Sequence, residues 1–507
     1  MAAKNKTCFG ISVGNTNLCI AVHKDGKVDV VANDSGERTT PAVVNFSPHE
    51  ICVGLHAKNR LLRLPGATVS GVKRFLGSAD ASKWPETSPI TCEPADGDQK
   101  TLVFGVSYDD ADGESKQKRV TTEELLTYQL NKLHETALNQ RQDDVYPCVV
   151  AVPYNFSIDQ RQRLLKCAKD AGVHVLRVIN EPAAACLAYT HKTEPLSMVR
   201  LVLVYRLGGE SSDVSVLRLV RGSMTTVISE HNPSLGGSLW TAGCAKYAAD
   251  EFKRKTRVSW DDLSKRSKGK VLAAAEVAKH VLSTMESCAC SAESVHEGLD
   301  LNVTLTRARF EMSTQNLLTR ARENIADVLQ KAGIDKDHIQ MVVLSGGGCK
   351  MVSIQKMIAS EFPRAELCNR LPADEVVAVG AAWQAEVLLS RGAADAEDDT
   401  KHLQPTVPLP VLTKDIAVQL KDGSMESILP KGSAVPCRFE APIVLTEDET
   451  SVRVILLQDG EPLGKLVMRD LDESSNLTLT VEVSEEQTLR CQCLDKNTDR
   501  VESILVS

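Results

Sequence analysis

The hydrophobic positions in the middle of the chain alternate between strand-like runs and helical spacing. The continuous apolar run at 147–152 predicts a buried strand, and the segment 158–171 has apolar residues at helical intervals. A second strand is predicted at 173–179, before Asn180-Glu181-Pro182, where a proline near the first helical position indicates the start of a helix. This alternation is typical of an α/β fold in which ligand chemistry lies at the strand ends.

The pattern is weaker elsewhere in the first 391 residues. The segment 78–118 has little periodicity and is rich in Asp, Gly, Ser and Pro, so we expect loops and short edge strands there. Thr121, followed by Glu123 and Glu124, predicts a helix that begins with a capping box. The remaining patterns predict strands at 27–32, 43–46, 224–230 and 341–344, and helices at 271–283, 306–332 and 378–389.

The pattern changes after residue 391. Residues 392–404 are small, acidic and aperiodic, and a proline-rich stretch follows them. From 411 to 507, apolar and polar residues alternate in short segments, which predicts an all-β module. We therefore predict an α/β domain at 1–391, a linker at 392–410 and a β-sandwich-like domain at 411–507.

A glycine turn between two strands occurs twice, at 10–22 and at 204–216, with Gly14 in one copy matching Gly208 in the other. Paired glycines allow positive φ and leave backbone N–H groups uncovered, so such a turn is able to bind phosphate oxygens. The repetition predicts a duplicated fold in which two phosphate-binding turns face each other across a nucleotide. Two unrelated hairpins are the alternative interpretation.

Composition narrows the class of protein. The 507 residues are 42% hydrophobic and 25% charged, with a formal net charge of −8, which is typical of a globular protein and argues against broad nucleic-acid binding. The N-terminus has no apolar core of a secretory signal, and no apolar run approaches the length needed to cross a membrane. We expect a cytosolic or nuclear protein with no membrane contact.

The 15 cysteines are scattered without the spacing of metal ligands. Two Cys-x-Cys pairs, at 288/290 and 491/493, would place both thiols on one face of a strand. Buried, reduced thiols are the expectation for an intracellular chain, and no metal site is predicted, with zinc as the minor alternative.

The segment 253–270 carries eight basic residues, interrupted by Asp261 and Asp262. A basic face of this kind can contact RNA. Because the whole chain is acidic, we favour a solvated helix face and predict no specific nucleic-acid partner.

Several motifs together resemble the 70-kilodalton heat-shock chaperone family. They are Val152-Pro153 with Gln160-Arg161-Gln162, Val178-Ile179-Asn180-Glu181-Pro182, Leu235-Gly236-Gly237, Thr306-Arg307-Ala308-Arg309-Phe310 and Ile354-Gln355-Lys356. The resemblance covers nearly all of the chain. It implies an actin-like ATPase domain, with a nucleotide cleft between two lobes, followed by a β-sandwich peptide-binding domain.

The resemblance also implies an ATP site. Lys73 and Glu181 occupy the positions that flank the reacting phosphate in the family. The two phosphate turns and the helix start after the second turn correspond to Gly14, Asn15, Thr16, Arg206, Gly208, Gly209, Gly236 and Gly237. The adenosine pocket corresponds to Glu276, Lys279, Ser283, Gly346, Gly347, Gly348, Lys350 and Asp374.

This chain departs from the family at the positions that carry the chemistry. Ser12 and Arg206 stand where the family has two aspartates that organise magnesium between the phosphates. Glu210 replaces the third glycine of the second turn, while His280 and Lys350 replace two arginines that sandwich adenine. We therefore predict ATP binding with little or no hydrolysis, and we leave magnesium binding open.

Three interpretations of Arg206 remain open. Its guanidinium group can bridge the phosphates in place of the metal and hold ATP without hydrolysis. Alternatively, Arg206 pairs with Glu210, so that the site is filled and closed. A third possibility is an exposed ion pair of small energetic value.

The β-module ends without a helical lid, and the connection around 456–465 is short, so we expect any peptide ligand to be released fast. These features resemble the divergent, ribosome-associated branch of this stress-response family, which forms a complex with a zuotin-type J-domain protein and assists nascent chains in the cytosol. The alternative is a slow ATPase chaperone that binds unfolded peptides directly. A sugar or acetate kinase on the same fold is disfavoured, because such enzymes have no place for the β-module.

Overall fold

The structure of the protein is a computed structural model. It describes residues 7–85, 88–109, 112, 114–139, 146–191, 199–220, 223–390, 414–419, 423–429, 437–445, 449–458, 460–472, 475–483 and 488–506. The chain forms two compact units, Met1–Pro405 and Thr406–Ser507. The predicted linker at 392–410 lies outside the described residues, so its limits stay a prediction.

The first unit contains strands and helices in mixed order. Its strands are β1 Cys8–Val13, β2 Asn17–Lys24, β3 Lys27–Val30, β4 Thr40–Pro41, β5 Val43–Phe46, β6 Ile51–Val53, β7 Thr68–Ser70, β8 Thr91–Ala95, β9 Asp98–Asp109, β10 Ser115–Thr121, β11 Pro147–Val152, β12 His174–Asn180, β13 Arg200–Leu207, β14 Ser212–Val220, β15 Ser223–Asn232, β16 Ser287–His296, β17 Leu299–Thr306, β18 Ile339–Ser345 and β19 Glu366–Cys368. Its helices are α1 Leu55–Arg60, α2 Thr122–Leu138, α3 Ile158–Asp170, α4 Glu181–Thr190, α5 Gly237–Thr256, α6 Lys265–Leu282, α7 Arg307–Ser313, α8 Gln315–Ala332, α9 Val352–Glu361 and α10 Val376–Ser390.

Two sheets of the first unit repeat the same topology. The first sheet has the order β3-β2-β1-β11-β12, with β4 beside β2, and the second has the order β15-β14-β13-β18-β19. In both sheets the first three strands are antiparallel, and the last two join in parallel. The predicted duplication is therefore confirmed, and each glycine turn connects the equivalent pair of strands in its own sheet.

Three apolar cores hold the first unit together. One lies on the outer side of the first sheet and contains Phe9, Ile11 and Val150, and a second lies on the outer side of the second sheet around Trp240. The third core lies between the two sheets, where small residues of α4 and α10 pack against β1, β11, β13 and β18. Small side chains are required here, because two helices and two sheets meet in one narrow layer.

The crossing of α4 and α10 depends on glycine. A Cβ atom on Gly380 would lie 1.7 Å from the carbonyl oxygen of Ala184, and one on Gly10 would lie 2.1 Å from the backbone nitrogen of Ala382. These separations are far below van der Waals contact, so only glycine allows the helices and β1 to approach this closely.

Several local predictions are confirmed. Strands β11 and β12 and helix α3 occur where they are predicted, and Thr121 begins α2 with a capping box in which its hydroxyl accepts from the Glu124 N–H. Two predictions are wrong in part. The segment 78–118 contains the expected short edge strand β8, but it also contributes to a sheet in the order β10-β9-β8, in which β9 spans 12 residues. The helix predicted at 306–332 is divided into α7 and α8 at Thr314, whose hydroxyl donates to the carbonyl of Phe310.

The second unit is a pair of sheets around one apolar core. Its strands are β20 Ile416–Gln419, β21 Met425–Leu429, β22 Cys437–Ile443, β23 Ser451–Gln458, β24 Glu461–Arg469, β25 Leu477–Val483, β26 Leu489–Asp495 and β27 Arg500–Val506. The sheets have the orders β21-β20-β23-β24 and β22-β25-β26-β27, and alternate side chains of both enter the core. The predicted β-sandwich is confirmed. No helix among the described residues is long and apolar enough to cross a membrane.

The close approach of α4 and α10 gives a first prediction. Gly380→Ala should destabilise the first unit by about 3 kcal/mol, because the new methyl group overlaps the Ala184 carbonyl. The four tryptophans, at 84, 240, 260 and 383, all lie in the first unit, so their fluorescence during urea unfolding follows this unit.

Gly66→Ala is the matched control. A Cβ atom on Gly66 would lie 3.7 Å from its nearest neighbour, the Ser107 carbonyl oxygen, so stability should change by only about 0.5 kcal/mol or less. Equal unfolding midpoints for the two variants would contradict the helix crossing described here.

Candidate functional site

The two glycine turns of the first unit face each other. The first turn joins β1 to β2, and the second joins β13 to β14. A Cβ atom on Gly209 would lie 2.4 Å from the Thr16 methyl carbon, so the turns are in contact. The backbone N–H groups of Asn15, Thr16, Gly209 and Glu210 have no hydrogen-bond acceptor in the described part of the chain. Both turns therefore retain donors that are suited to an anion.

The start of α5 supports the second turn. The N–H of Gly237 donates to the carbonyl of Gly208 at 2.8 Å, and the N–H of Ser238 donates to the carbonyl of Gly209 at 2.8 Å. A Cβ atom on Gly236 would lie 2.5 Å from the Cα of Glu210, which explains the glycine at this position. The predicted site residues Gly236 and Gly237 thus position the turn, and the Gly237 N–H is already used.

A chain of ion pairs lies below the turns. Glu181, at the start of α4, accepts a hydrogen bond from Lys73 at 3.1 Å, and its other carboxylate oxygen forms an ion pair with Arg206 Nε at 2.9 Å. Arg206 Nη1 lies 2.5 Å from the carboxylate of Asp213, which also accepts from His231 Nδ1 at 2.7 Å. Lys73 and Glu181 are each about 5% exposed, so the centre of this network is removed from water.

The strands explain why these side chains meet. Arg206 and Asp213 are direct cross-strand partners on β13 and β14, and Asp213 pairs in the same way with His231 on β15. Directly opposed residues point to the same face of a sheet, so the three side chains project together into the cleft. Glu181 comes from the carboxyl end of β12 in the other sheet. The Glu181–Arg206 ion pair therefore connects the two halves of the duplicated fold.

The network shifts the protonation of its members. Burial lowers the pKa of Lys73, and the nearby positive charge of Arg206 lowers it further. Burial alone would raise the pKa of Asp213, but Arg206 and His231 outweigh it and hold this pKa below its ordinary value. For Arg206, burial is outweighed by Glu181 and Asp213, so the guanidinium stays charged. Two cations and two carboxylates therefore balance each other.

Glu210 does not pair with Arg206, so the interpretation that these two residues close the site is wrong. Glu210 Oε2 lies 3.8 Å from Arg74 Nη1, and both side chains are more than a third exposed. Arg206 lies on a strand with its side chain in the cleft, whereas Glu210 lies in the turn. The interpretation of Arg206 as an exposed pair is wrong as well, since its side chain is only 16% exposed.

The residues predicted for adenosine form two groups beside the turns. Lys279 of α6 donates to the carbonyl of Gly237 at 3.1 Å, and Ser283, directly after α6, donates to the carbonyl of Lys279 at 3.3 Å. Glu276 pairs with Lys58 of α1 at 3.2 Å. Burial alone would raise the pKa of Glu276, but the charges of Lys58 and Lys279 hold it below its ordinary value.

The second group surrounds the loop after β18. Gly346 has φ +83°, and a Cβ atom there would lie 2.4 Å from the carbonyl oxygen of Leu207, so the loop packs closely on the second turn. Gly347 and Gly348 continue this loop, and Lys350 pairs with Asp374 at 2.6 Å. The other carboxylate oxygen of Asp374 is buried without a partner in the structure, so it is an acceptor that a ligand hydroxyl would satisfy.

Sequence reasoning missed Asp213 and His231. Both are central to the ion-pair network, yet neither was predicted as a site residue. The register of the hairpin would have identified Asp213 as the partner of Arg206, because a turn of four residues, 208–211, places these two residues opposite each other. An arginine in one strand, opposed by an acidic residue in the next, indicates an ion pair.

Comparison with known proteins indicates the family to which this chain is similar. The family model described as Hsp70 protein matches residues 8–463. Heat shock 70 kDa protein 14 of Bos taurus is 33% identical over 518 residues, covering 98% of this chain and 99% of its own length. The proteins of that name from Danio rerio and Mus musculus are also 33% identical, over 516 and 517 residues.

The chain belongs to the Hsp70 family. The match covers both units, so the two-lobed ATPase fold and the β-sandwich belong to one family architecture. Hsp70 proteins bind ATP with magnesium, which makes the cleft between the two turns the expected nucleotide site. The individual binding roles of the residues named above stay predictions.

The cleft of this Hsp70 protein does not fit magnesium. Both oxygens of Glu181 and both oxygens of Asp213 lie in ion pairs with protein cations or with His231. Ser12, which is half-buried at the end of β1, supplies no carboxylate, and Arg206 brings a fixed positive charge. Magnesium needs oxygen ligands in octahedral geometry, and a guanidinium group among them repels it. No group of three potential metal ligands occurs among the described residues.

The lowered pKa of Asp213 gives a pH prediction. A carboxyl group with a lower pKa in the folded state stabilises the fold above its unfolded pKa of about 3.9, and this stabilisation is lost as the pH falls through the folded pKa. Asp213→Asn should therefore reduce the free energy of unfolding most at neutral pH, and the difference from wild type should shrink below about pH 4.

Urea unfolding at a series of pH values, followed by tryptophan fluorescence, measures this difference. Asp250→Asn is the control, because Asp250 is exposed and forms no ion pair within the described residues. A constant difference between wild type and Asp213→Asn down to pH 3 would contradict the ion pairing of Asp213.

Proposed function

We propose that this chain is a divergent Hsp70-family chaperone that binds ATP with little or no hydrolysis. In this proposal it acts in the cytosol with a zuotin-type J-domain protein, in a ribosome-associated complex that assists newly synthesised polypeptides. The single observation that carries the catalytic part is the ion pairing of Arg206 with Glu181 and Asp213.

The low hydrolysis follows from what phosphoryl transfer requires. The transition state spreads negative charge over the phosphate oxygens, and a metal ion held between the phosphates neutralises it in related enzymes. In this chain, Ser12 and Arg206 occupy the two metal-organising positions, and Glu181 is bound to two cations. A carboxylate that is committed to ion pairs is poorly placed to activate a water molecule. The cleft is therefore expected to hydrolyse ATP poorly even when it binds ATP.

ATP binding is supported by the remaining parts of the cleft. The turns retain free N–H donors, and Lys73 and Arg206 provide two positive charges beneath them. The unpartnered oxygen of Asp374 and the Lys279–Gly237 contact lie on the predicted adenosine side. These features favour a nucleotide over a smaller anion, because they extend the site beyond the phosphates.

The partner proposal is supported by similarity over nearly the whole chain. Hsp70-family members work with J-domain proteins and with unfolded polypeptides. The relatives named heat shock 70 kDa protein 14 align over 98% of this chain, and this similarity supports the proposal that the chain belongs to one group inside the family. The zuotin-type partner and the ribosome are proposed because the sequence resembles the ribosome-associated branch of the family.

Single-turnover hydrolysis tests the catalytic proposal. With enzyme in excess over labelled ATP, the wild type should release product about 10³-fold or more slowly than a hydrolysing Hsp70 protein, because charge neutralisation at the phosphates is lost. The double variant Ser12→Asp/Arg206→Asp restores both carboxylates and should raise the rate in the presence of magnesium.

Lys73→Ala separates the two candidate functions. If the wild type forms product at a rate that falls with Lys73→Ala, the chain is a slow ATPase and the alternative chaperone function replaces the proposal. Nucleotide-dependent affinity for an unfolded peptide would point the same way.

The partnership requires its own experiment. The chain, coexpressed with a zuotin-type J-domain protein, should purify as a stable complex, and it should sediment with ribosomes only when that partner is present. Sedimentation with ribosomes in the absence of the partner would contradict the proposed arrangement. Failure to copurify with the partner would remove the partner from the proposal and leave the catalytic part intact.

A further inference from the structure

We infer that this cleft takes a nucleoside polyphosphate free of divalent cation, with Arg206 as the built-in positive charge in place of the metal. The inference rests on the proposed nucleotide binding and goes beyond it, because it names the ionic form of the ligand. It turns the poor fit of magnesium to this cleft into a property that can be measured.

The carboxylate oxygens of the cleft already have partners within the protein. Glu181 Oε1 is bound to Lys73 and Oε2 to Arg206, while Asp213 Oδ2 is bound to Arg206 and Oδ1 to His231. All four oxygens are therefore used by groups of the protein. A divalent cation bound to any of these oxygens would therefore lie next to Lys73, Arg206 or His231, and the fixed charges of Lys73 and Arg206 would repel it.

The charges of the ion-pair network cancel. Lys73 and Arg206 contribute two positive charges, and Glu181 and Asp213 contribute two negative charges. A network of zero net charge has no excess negative potential with which to attract a dication. With aspartates at both metal-organising positions, the same cleft would hold four carboxylates and one lysine, and it would need an added cation to remain stable.

The guanidinium group of Arg206 is close to the second turn. A Cβ atom on Gly208 would lie 3.3 Å from Arg206 Nη2, so this end of the group lies directly beneath the second turn. Nη2 has no acceptor among the described residues, whereas Nε and Nη1 are held by Glu181 and Asp213. A phosphate bound at the free N–H groups of the turn would therefore meet a donor that is already fixed in place.

Free nucleotide and its magnesium complex differ in what they present to the cleft. Free ATP or ADP presents all its phosphate oxygens to the turns and to Arg206. A magnesium complex presents oxygens that are already bound to a dication, next to a guanidinium group that cannot lose its proton. Magnesium should thus weaken nucleotide binding here, by lowering the concentration of the free polyanion.

Calorimetric titration with ADP tests this inference. ADP is chosen because it is not hydrolysed in the assay. In buffer with EDTA, wild type should bind ADP at least as tightly as in buffer with excess magnesium, and we expect about tenfold weaker binding with magnesium. Binding that is tighter with magnesium, or ADP that binds in neither buffer, would overturn the inference.

Variants make the test specific. Ser12→Asp/Arg206→Asp should reverse the dependence, so that ADP binds about tenfold or more tightly with magnesium than with EDTA. Arg163→Gln is the matched control, because Arg163 also pairs with several carboxylates, Asp98, Glu123 and Asp159, but lies outside the cleft. It should keep the wild-type response to magnesium. Circular dichroism establishes that each variant is folded.

Metal binding to the wild type, measured directly, tests the inference even if a variant does not fold. Mn²⁺ titrated into wild type with ADP, and followed by electron paramagnetic resonance, should give no protein-bound signal beyond that of the Mn²⁺–ADP complex in solution. A protein-bound Mn²⁺ signal would overturn the inference. Fast hydrolysis in the single-turnover assay would instead overturn the proposed function, whereas tighter ADP binding with magnesium would overturn the inference alone, so the two failures are distinguishable.

Discussion

The ion pair between Arg206 and Glu181 is the interaction on which the site depends. It joins a strand of the second sheet to the start of a helix that leaves the first sheet, at 2.9 Å and away from water. Lys73 forms a second ion pair with Glu181, and Asp213 forms a second ion pair with Arg206. A buried charge that loses its partner costs about 3–5 kcal/mol, so each member constrains the others. Arg206 is therefore as much a structural element of the cleft as a candidate binding residue.

The duplicated fold explains how this network forms. Both sheets end in a glycine turn at the same edge, so the turns, the end of β12 and the start of α4 converge. In the Hsp70 family such a cleft binds a nucleotide with its metal. Here the same backbone carries a serine and an arginine at two key positions, and the two remaining carboxylates are satisfied within the protein. In the proposed function, the fold is retained while the charge that would recruit a metal is removed.

Much of the fold was predictable from the sequence, because it rests on local patterns. The repeated glycine turn predicted the duplication, and periodicity predicted β11, α3 and the β-sandwich. The three-stranded sheet at 91–121 was predicted only as loops and short edge strands, because its residues lack clear alternation. In the site, the facing turns were predicted, but the partner of Arg206 was not. Glu210 is near in sequence, whereas Glu181 is 25 positions away and meets Arg206 only through tertiary structure.

The central claim is that Arg206 replaces a metal ion in this cleft. A crystal structure with a non-hydrolysable ATP analogue and Mn²⁺, with anomalous data at the manganese edge, tests it most directly. The account predicts nucleotide density against the two turns, Arg206 still paired with Glu181 and Asp213, and no anomalous peak between the phosphates and these carboxylates. An anomalous peak there, with Arg206 turned away from Glu181, would contradict it.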